Sequence, residues 1–338
     1  MVMNQNSSPT TELAVSAHGL VKTFGDLRAV DGVDLEVRRG EVFGVLGPNG
    51  AGKTTMLQML ATLLPMDGGR AEIFGVDVKQ HPHVVRQLVG VTGQYASVDE
   101  NLTARENLYL FGRLLGVDKA AARSTAEDLL GRFGLQDAGD KQISQFSGGM
   151  RRRLDLAASL IAQPPLIFLD EPTTGLDPRT RGQMWETIRD LVAQGCTVLL
   201  TTQYLDEADQ LADRIAVIDR GHKVAEGTSD QLKSQVGTST LQLRLLDPAQ
   251  TGQAVDVVRR VVGDEPVLTP EAGGINVPLP DANRAADVLI GLREQELLIT
   301  SATVQKPTLD EVFMALTGHG AGEDDDTDHH DSDLEAVR

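Results

Sequence analysis

Five consecutive apolar positions, Val42 to Leu46 (VFGVL), predict a strand buried on both faces, because a half-exposed strand would alternate. Two similar runs follow: Leu166 to Leu169 (LIFL), which ends in Asp170 and Glu171, and Thr197 to Thr202 (TVLLTT). Between them, apolar spacing from Gly182 to Gln194 predicts a helix. Strands alternating with helices imply a parallel sheet. Upstream, residues 12–40 read as a strand pair, VSAHGLVKTF and AVDGVDLEV, with a turn at Gly25-Asp26. Thr54 to Leu64 carries helical spacing, and residues 101–162 are mostly helical in pattern, rich in Ala and Leu. AVIDRGHKVAEGT closes this unit as a hairpin, with Arg220-Gly221 near its turn.

After residue 237 the pattern changes to short strands, TLQLRL, PVLTPE, GINVPL and LLITSATV, with helical stretches at 249–262, 281–294 and 308–316. The order strand-helix-strand-strand-helix-strand predicts a small α+β, ferredoxin-like plait. Four segments follow: a disordered N-terminus at 1–11, an α/β domain at 12–236 with a helical subdomain at 95–162, the plait at 237–318, and a tail at 319–338.

Composition narrows the class. At 338 residues with 41% hydrophobic content, the chain can fill two cores. No apolar run approaches the roughly 18–20 residues that span a bilayer, and MVMNQNSSPTTE has no secretory-signal pattern. A lone cysteine, Cys196, excludes an intramolecular disulfide framework. The net charge of −18 argues against a nucleic-acid partner, which needs a basic face. Part of that charge is local: residues 319–338 hold eight acids against one arginine, the composition of a solvated, disordered tail.

A single nucleotide is still compatible with this acidity, because loop amides and one lysine can hold phosphates. Gly47, Pro48, Asn49, Gly50, Ala51, Gly52, Lys53, Thr54 and Thr55 (GPNGAGKTT) contain the complete phosphate-loop pattern, between a predicted strand and a predicted helix. Its backbone N–H groups can point at one anion where the helix dipole favours it. Lys53 is expected at the β- and γ-phosphates and the Thr54 hydroxyl on Mg²⁺. Asp170, which ends the strand Leu166 to Leu169 and is expected beside the phosphate loop, can orient the metal. Glu171, one residue on, can polarise the attacking water.

Between these two motifs lies Phe146-Ser147-Gly148-Gly149-Met150. With the phosphate loop and DEP strand around it, the chain resembles an ATP-binding-cassette (ABC) ATPase, whose signature is usually L-S-G-G-Q. Ser147, Gly148 and Gly149 match, while Phe146 and Met150 depart. Two glycines at a helix start expose N–H groups and the serine adds a hydroxyl, which is again phosphate recognition. The resemblance assigns Gln94 to the loop that joins the magnesium site to the helical subdomain. It assigns Asp177, in Gly175-Leu176-Asp177, to the loop that touches the partner protomer. Phe24 stands where an aromatic usually stacks on adenine, and stacking discriminates bases weakly, which leaves GTP open beside ATP.

One position departs with a consequence. Where the family has a histidine on the γ-phosphate, this chain has Gln203, in TTQYLDEADQ. An amide can donate to phosphate and accept from water but carries no positive charge. Slow but real hydrolysis is expected, with Glu171 as the base.

The stretches TGQYASVDENLT, SGGMRRRLDLAASL, DEPTTGLDPR and PTLDEVFMALTG resemble the ATPase subunits of daunorubicin/doxorubicin-type resistance exporters. That resemblance implies a peripheral protein on the cytoplasmic face of the cell membrane, dimerised around ATP and driving a separate multispan permease. The exported cargo stays open among drug, antibiotic and lipid. Two alternatives remain: a soluble non-transport cassette ATPase and a slow-turnover, nucleotide-dependent assembly factor. Cassette proteins that act on nucleic acid usually have two cassettes or a long coiled coil, and basic surfaces; this chain has one phosphate loop, no heptads and strong acidity.

Overall fold

The computed structural model describes residues 13–93, 98–236, 239–269 and 272–318, which form two compact units divided at Glu226/Gly227. Gln94, the N-terminal stretch 1–11 and the acidic tail 319–338 lie outside the described residues.

The first unit begins with two long strands, β1 (Leu13–Phe24) and β2 (Leu27–Arg38), paired antiparallel across the Gly25-Asp26 turn. The apolar run β3 (Val42–Leu46) leads through the phosphate loop into α1 (Lys53–Leu60). That helix ends four residues before its expected limit at Leu64. Thr62 takes φ 63 and Leu63 N closes back on the Gln58 carbonyl at 2.9 Å, which turns the chain toward β1.

The hydrophobic pattern assigns no element to residues 65–93. The structure places β4 (Gly68–Ile73), β5 (Val76–Asp77), α2 (Pro82–Leu88) and β6 (Val89–Thr92) there. β4 pairs antiparallel with β1, so its formation depends on a partner about 50 residues away in sequence rather than on local period. The antiparallel sheet runs β2-β1-β4-β5.

Helices α3 (Ala104–Leu114) and α4 (Lys119–Arg132) come next, then α5 (Gly148–Ser159), and the three pack together. Thr103 and Glu106 form a capping box at the start of α3, and Asp118 caps α4. The remaining core elements are β7 (Leu166–Asp170), α6 (Pro178–Ala193), β8 (Thr197–Thr202), α7 (Leu205–Leu211), β9 (Arg214–Asp219) and β10 (His222–Gly227). The central sheet has six strands in the order β10-β9-β3-β8-β7-β6, and the pairs β9–β3, β3–β8, β8–β7 and β7–β6 are parallel.

The apolar runs behave as their pattern predicts. Along β7, Leu166 and Phe168 enter the core beneath the antiparallel sheet, while Ile167 and Leu169 enter the core under the helices. β8 divides in the same way, with Leu199 in the first core and Val198 and Leu200 in the second. Each such side chain contributes roughly 1.5–3 kcal/mol by leaving water. With cores on both faces, strand ends are the places where polar residues can emerge.

The second unit takes in α8 (Ser229–Val236), which the sequence pattern assigns to the first domain; it packs on α11 (Leu309–Thr317). Between them run β11 (Ser239–Leu245), α9 (Thr251–Val262), β12 (Val267–Leu268), β13 (Gly274–Leu279), α10 (Arg284–Glu294) and β14 (Ile299–Gln305). All pairings are antiparallel, in the order β12-β13-β11-β14, as a split plait requires. Leu241, Leu243, Ile275 and Val277 on the sheet and Val257, Val258, Val288 and Leu292 on the helices form its core. Among the described residues, no helix is long and apolar enough to cross a membrane.

Candidate nucleotide site

The phosphate loop is tied to the central sheet on two sides. Gly47 N donates to the Thr202 carbonyl at the end of β8 (3.2 Å), and the Ala51 carbonyl accepts from Gly221 N in the β9–β10 turn (3.0 Å). Gly52 sits at φ +100, and a Cβ there would overlap the Ala29 carbonyl, so only glycine fits this corner.

Lys53 is almost fully buried at the loop mouth. Its Nζ donates to the Gly47 and Pro48 carbonyls at 2.8 and 2.9 Å, with Glu171 Oε1 at 3.7 Å. Burial lowers the affinity of this amine for its proton, and the Glu171 and Asp170 carboxylates oppose that shift.

Asp170 closes β7 beside the loop. Its Oδ1 accepts from Thr54 Oγ1 at 3.0 Å and from the buried Thr201 hydroxyl at 2.5 Å. Thr201 is a participant that sequence reasoning does not single out; the only signal is its place in the TVLLTT strand next to LIFLD. Glu171 takes φ 47, a left-handed conformation rare outside glycine. Its N–H donates to the Thr201 carbonyl (3.1 Å), and Oε2 accepts from Thr174 Oγ1 (3.1 Å). This backbone twist turns the acid from the strand toward the loop.

Phe24, Asn49, Gly50, Gly52, Lys53, Thr54, Thr55 and Glu171 line one cleft of about 440 Å³. Phe24 is 48% exposed, which rules out a core role. Lys22 Nζ lies 5.4 Å from its ring centroid and is itself bonded to Asp67 at 3.0 Å, so a neighbouring cation steadies the ring. Gln203 follows Thr202, whose carbonyl holds Gly47 N, and so leaves the sheet next to the loop. The Gln203 amide has no hydrogen-bond partner among the described residues.

Ser147, Gly148 and Gly149 do not line that cleft. Ser147 caps α5, accepting from Met150 N at 3.3 Å, and with Gly148 is exposed. Phe146 is buried in the helical core and Met150 packs against it, which accounts for apolar residues at both departures from the usual signature. Gly149 abuts α6: a Cβ would lie 2.6 Å from Thr180 Cγ2. Thr180 in turn donates its N–H and hydroxyl to Asp177, at 3.0 and 2.6 Å. Those bonds hold the exposed Asp177 carboxyl below the ordinary range. Signature and Asp177 thus form one patch.

Two further residues matter that sequence reasoning misses. Arg152 on α5 donates to carbonyls at the ends of β6 and β7. Glu207 on α7 is fully buried and accepts from Trp185 Nε1 at 3.2 Å; burial pushes its carboxyl above the usual carboxylate range.

A buried strand that leads through the phosphate loop into a helix, with Asp170 bonded to Thr54 and Glu171 beside Lys53, is the arrangement of a P-loop ATPase. The chain belongs to the ATP-binding proteins of the ABC transporters, a family that binds ATP and hydrolyses it to power transport. Residues 30–174 match the ABC transporter family, and residues 227–317 match the DrrA1-3-like ATP-binding protein C-terminal domain. The daunorubicin/doxorubicin resistance ATP-binding protein DrrA of Streptomyces peucetius is 52% identical over 94% of this chain and 95% of its own. The doxorubicin resistance ATP-binding protein DrrA of Mycobacterium tuberculosis is 43% identical over 90% of this chain and 94% of its own. A solved ATP-binding subunit of an ABC transporter superposes with TM-score 0.60 at 27% identity, covering 66% of this chain and 92% of that one. Another cassette, described as dimeric and post-hydrolysis with ADP and Pi, reaches TM-score 0.58 at 26% identity over 63% and 98%.

Proposed function

We propose that this chain is the ATP-hydrolysing subunit of an exporter and drives efflux of a drug, antibiotic or lipid through a separate membrane permease. Its place would be the cytoplasmic face of the membrane, held there by the permease. The observation that carries the reading is the convergence of Lys53, Thr54, Asp170 and Glu171 at one loop mouth, in a chain 52% identical to a drug-resistance ATP-binding protein over nearly its whole length.

In this reading each nucleotide lies between two copies of the chain. Gly47–Thr55 and Lys53 of one copy hold the phosphates, Phe24 stacks on the base, and Ser147–Gly149 with Asp177 of the other copy close the site. Thr54 Oγ1 and Asp170 Oδ1 are 3.0 Å apart and are hard oxygen donors of the kind Mg²⁺ takes. With Gln94, on family resemblance, they would hold the ion, which would neutralise phosphate charge. Glu171 accepts the proton of the attacking water, and the neutral amide of Gln203 orients it, so turnover is slow. The C-terminal unit is assigned to regulation or assembly.

Full-length chain is assayed for ATPase activity and for mass with and without Mg-ATP. Wild type hydrolyses ATP, and Lys53→Ala does not. Glu171→Gln forms an ATP-dependent dimer, which a bulky residue at Ser147 abolishes. A permease that copurifies under native expression completes the case; hydrolysis unchanged in Glu171→Gln overturns the assignment of the base.

A further inference from the structure

Four backbone carbonyls converge on one side chain of the signature helix. Arg152 Nε donates to Pro172 O at 3.1 Å, Nη1 to Gly93 O at 2.5 Å, and Nη2 to Asp170 O and Glu171 O at 2.6 and 3.0 Å. Asp155, one turn further along α5, approaches Nη1 at 4.0 Å. A guanidinium offers five N–H donors in a planar fork, and a lysine at this place could not reach four acceptors at once.

The carbonyls it holds are not arbitrary. Two belong to Asp170 and Glu171, and Glu171 keeps a left-handed backbone that its surroundings must enforce. A third belongs to Gly93, which directly precedes Gln94 in the chain. The helix that carries Arg152 starts at Gly148, where Ser147 and Gly148 are exposed and outside the cleft that contains Glu171. One rigid element therefore has its free end on one surface and its arginine on the backbone of the base.

We propose that Arg152 is a positioning residue that couples the two nucleotide sites of a dimer. The signature helix of each chain, engaged at its N-terminus by the nucleotide of the opposite site, sets through Arg152 the Asp170–Pro172 backbone and hence the Glu171 carboxylate of its own site. This rests on the dimer reading above.

The test uses full-length chains. Arg152→Gln lowers kcat by roughly ten- to a hundredfold, the scale of a misplaced reacting group, while the Kd for a fluorescent ATP analogue stays within about twofold. The Hill coefficient for ATP falls toward 1, and Arg152→Lys recovers part of kcat. Mixed dimers separate positioning from general damage. In a dimer with one Lys53→Ala chain, Arg152→Gln on the intact chain lowers the remaining turnover by that same factor, whereas on the Lys53→Ala chain it leaves that turnover nearly unchanged. Equal losses from the two placements, or weaker ATP binding with kcat retained, overturn the inference. If Glu171→Gln forms no ATP-dependent dimer, the underlying reading fails and takes the coupling with it. If that dimer forms and Arg152→Gln hydrolyses like wild type, only the coupling fails.

Discussion

The Thr201 hydroxyl donates to Asp170 Oδ1 at 2.5 Å, on the same oxygen that Thr54 reaches from the phosphate loop at 3.0 Å. The carboxylate is therefore aimed by one neighbour on β8 and one on α1 before any ligand arrives. Thr201→Val keeps the side chain's shape but removes the donor from a buried charge, at a cost of about 1.5–3 kcal/mol in chemical denaturation. The Mg²⁺ concentration for half-maximal ATPase activity rises several-fold in the same variant. Unchanged stability would show that the bond is not worth its length.

Gly149 and Thr180 form a second testable pair. Gly149→Ala drives a methyl to within 2.6 Å of Thr180 Cγ2, and Thr180 cannot rotate freely because its hydroxyl is bound to Asp177. A loss of roughly 1–3 kcal/mol is expected, the usual cost of overpacking. Gly148→Ala, with open space around it, loses little stability. Adding Thr180→Ser to Gly149→Ala removes the clashing methyl and restores the melting temperature; absence of rescue would mean that the strain lies elsewhere.

Glu207 makes a pH prediction with a definite sign. Burial raises its folded-state pKa above the ordinary 4.5, while Trp185 Nε1 and the charge of Arg181 favour the ionised form. A group raised on folding stabilises fully below its unfolded pKa, and that contribution is lost as pH rises through the folded value. The window therefore opens above pH 4.5. Glu207→Gln should gain stability relative to wild type as pH increases from 5 toward neutrality, and gain least at the acid end. Denaturant midpoints of both proteins across that range provide the difference, and parallel curves would exclude the shift.

Gln203 predicts a gain of function. Gln203→His supplies a group that carries positive charge below about pH 6.5 and can meet developing phosphate charge. Steady-state ATPase activity is expected to rise several-fold at pH 6 and less at pH 8. Equal rates in both proteins at both pH values would remove the switch role from this position.

Legibility followed the range of the interaction. GPNGAGKTT, LIFLDE and FSGGM were readable because each needs specific residue types in adjacent positions, and the buried strands because an unbroken apolar run has few other uses. β4 and β6 were not readable, since β4 exists by pairing with β1 and β6 by lying beside β7. Thr201 and Arg152 escaped for the same reason. A threonine in a strand and an arginine in a helix look ordinary until the fold brings them to the Asp170 carboxylate and the Asp170–Pro172 carbonyls.

By itself the sequence determined the phosphate loop, the acid pair that follows β7, the signature triplet and the change of character toward the C-terminal plait. These are local patterns whose chemistry depends on neighbouring residues. Only the tertiary structure decided that Asp170 is held between Thr54 and Thr201, that Phe24 lies at the mouth of the cleft, and that Ser147–Gly149 lie outside it. Those relations join residues far apart in the chain, and close packing of the parallel sheet against its helices brings them within hydrogen-bond reach.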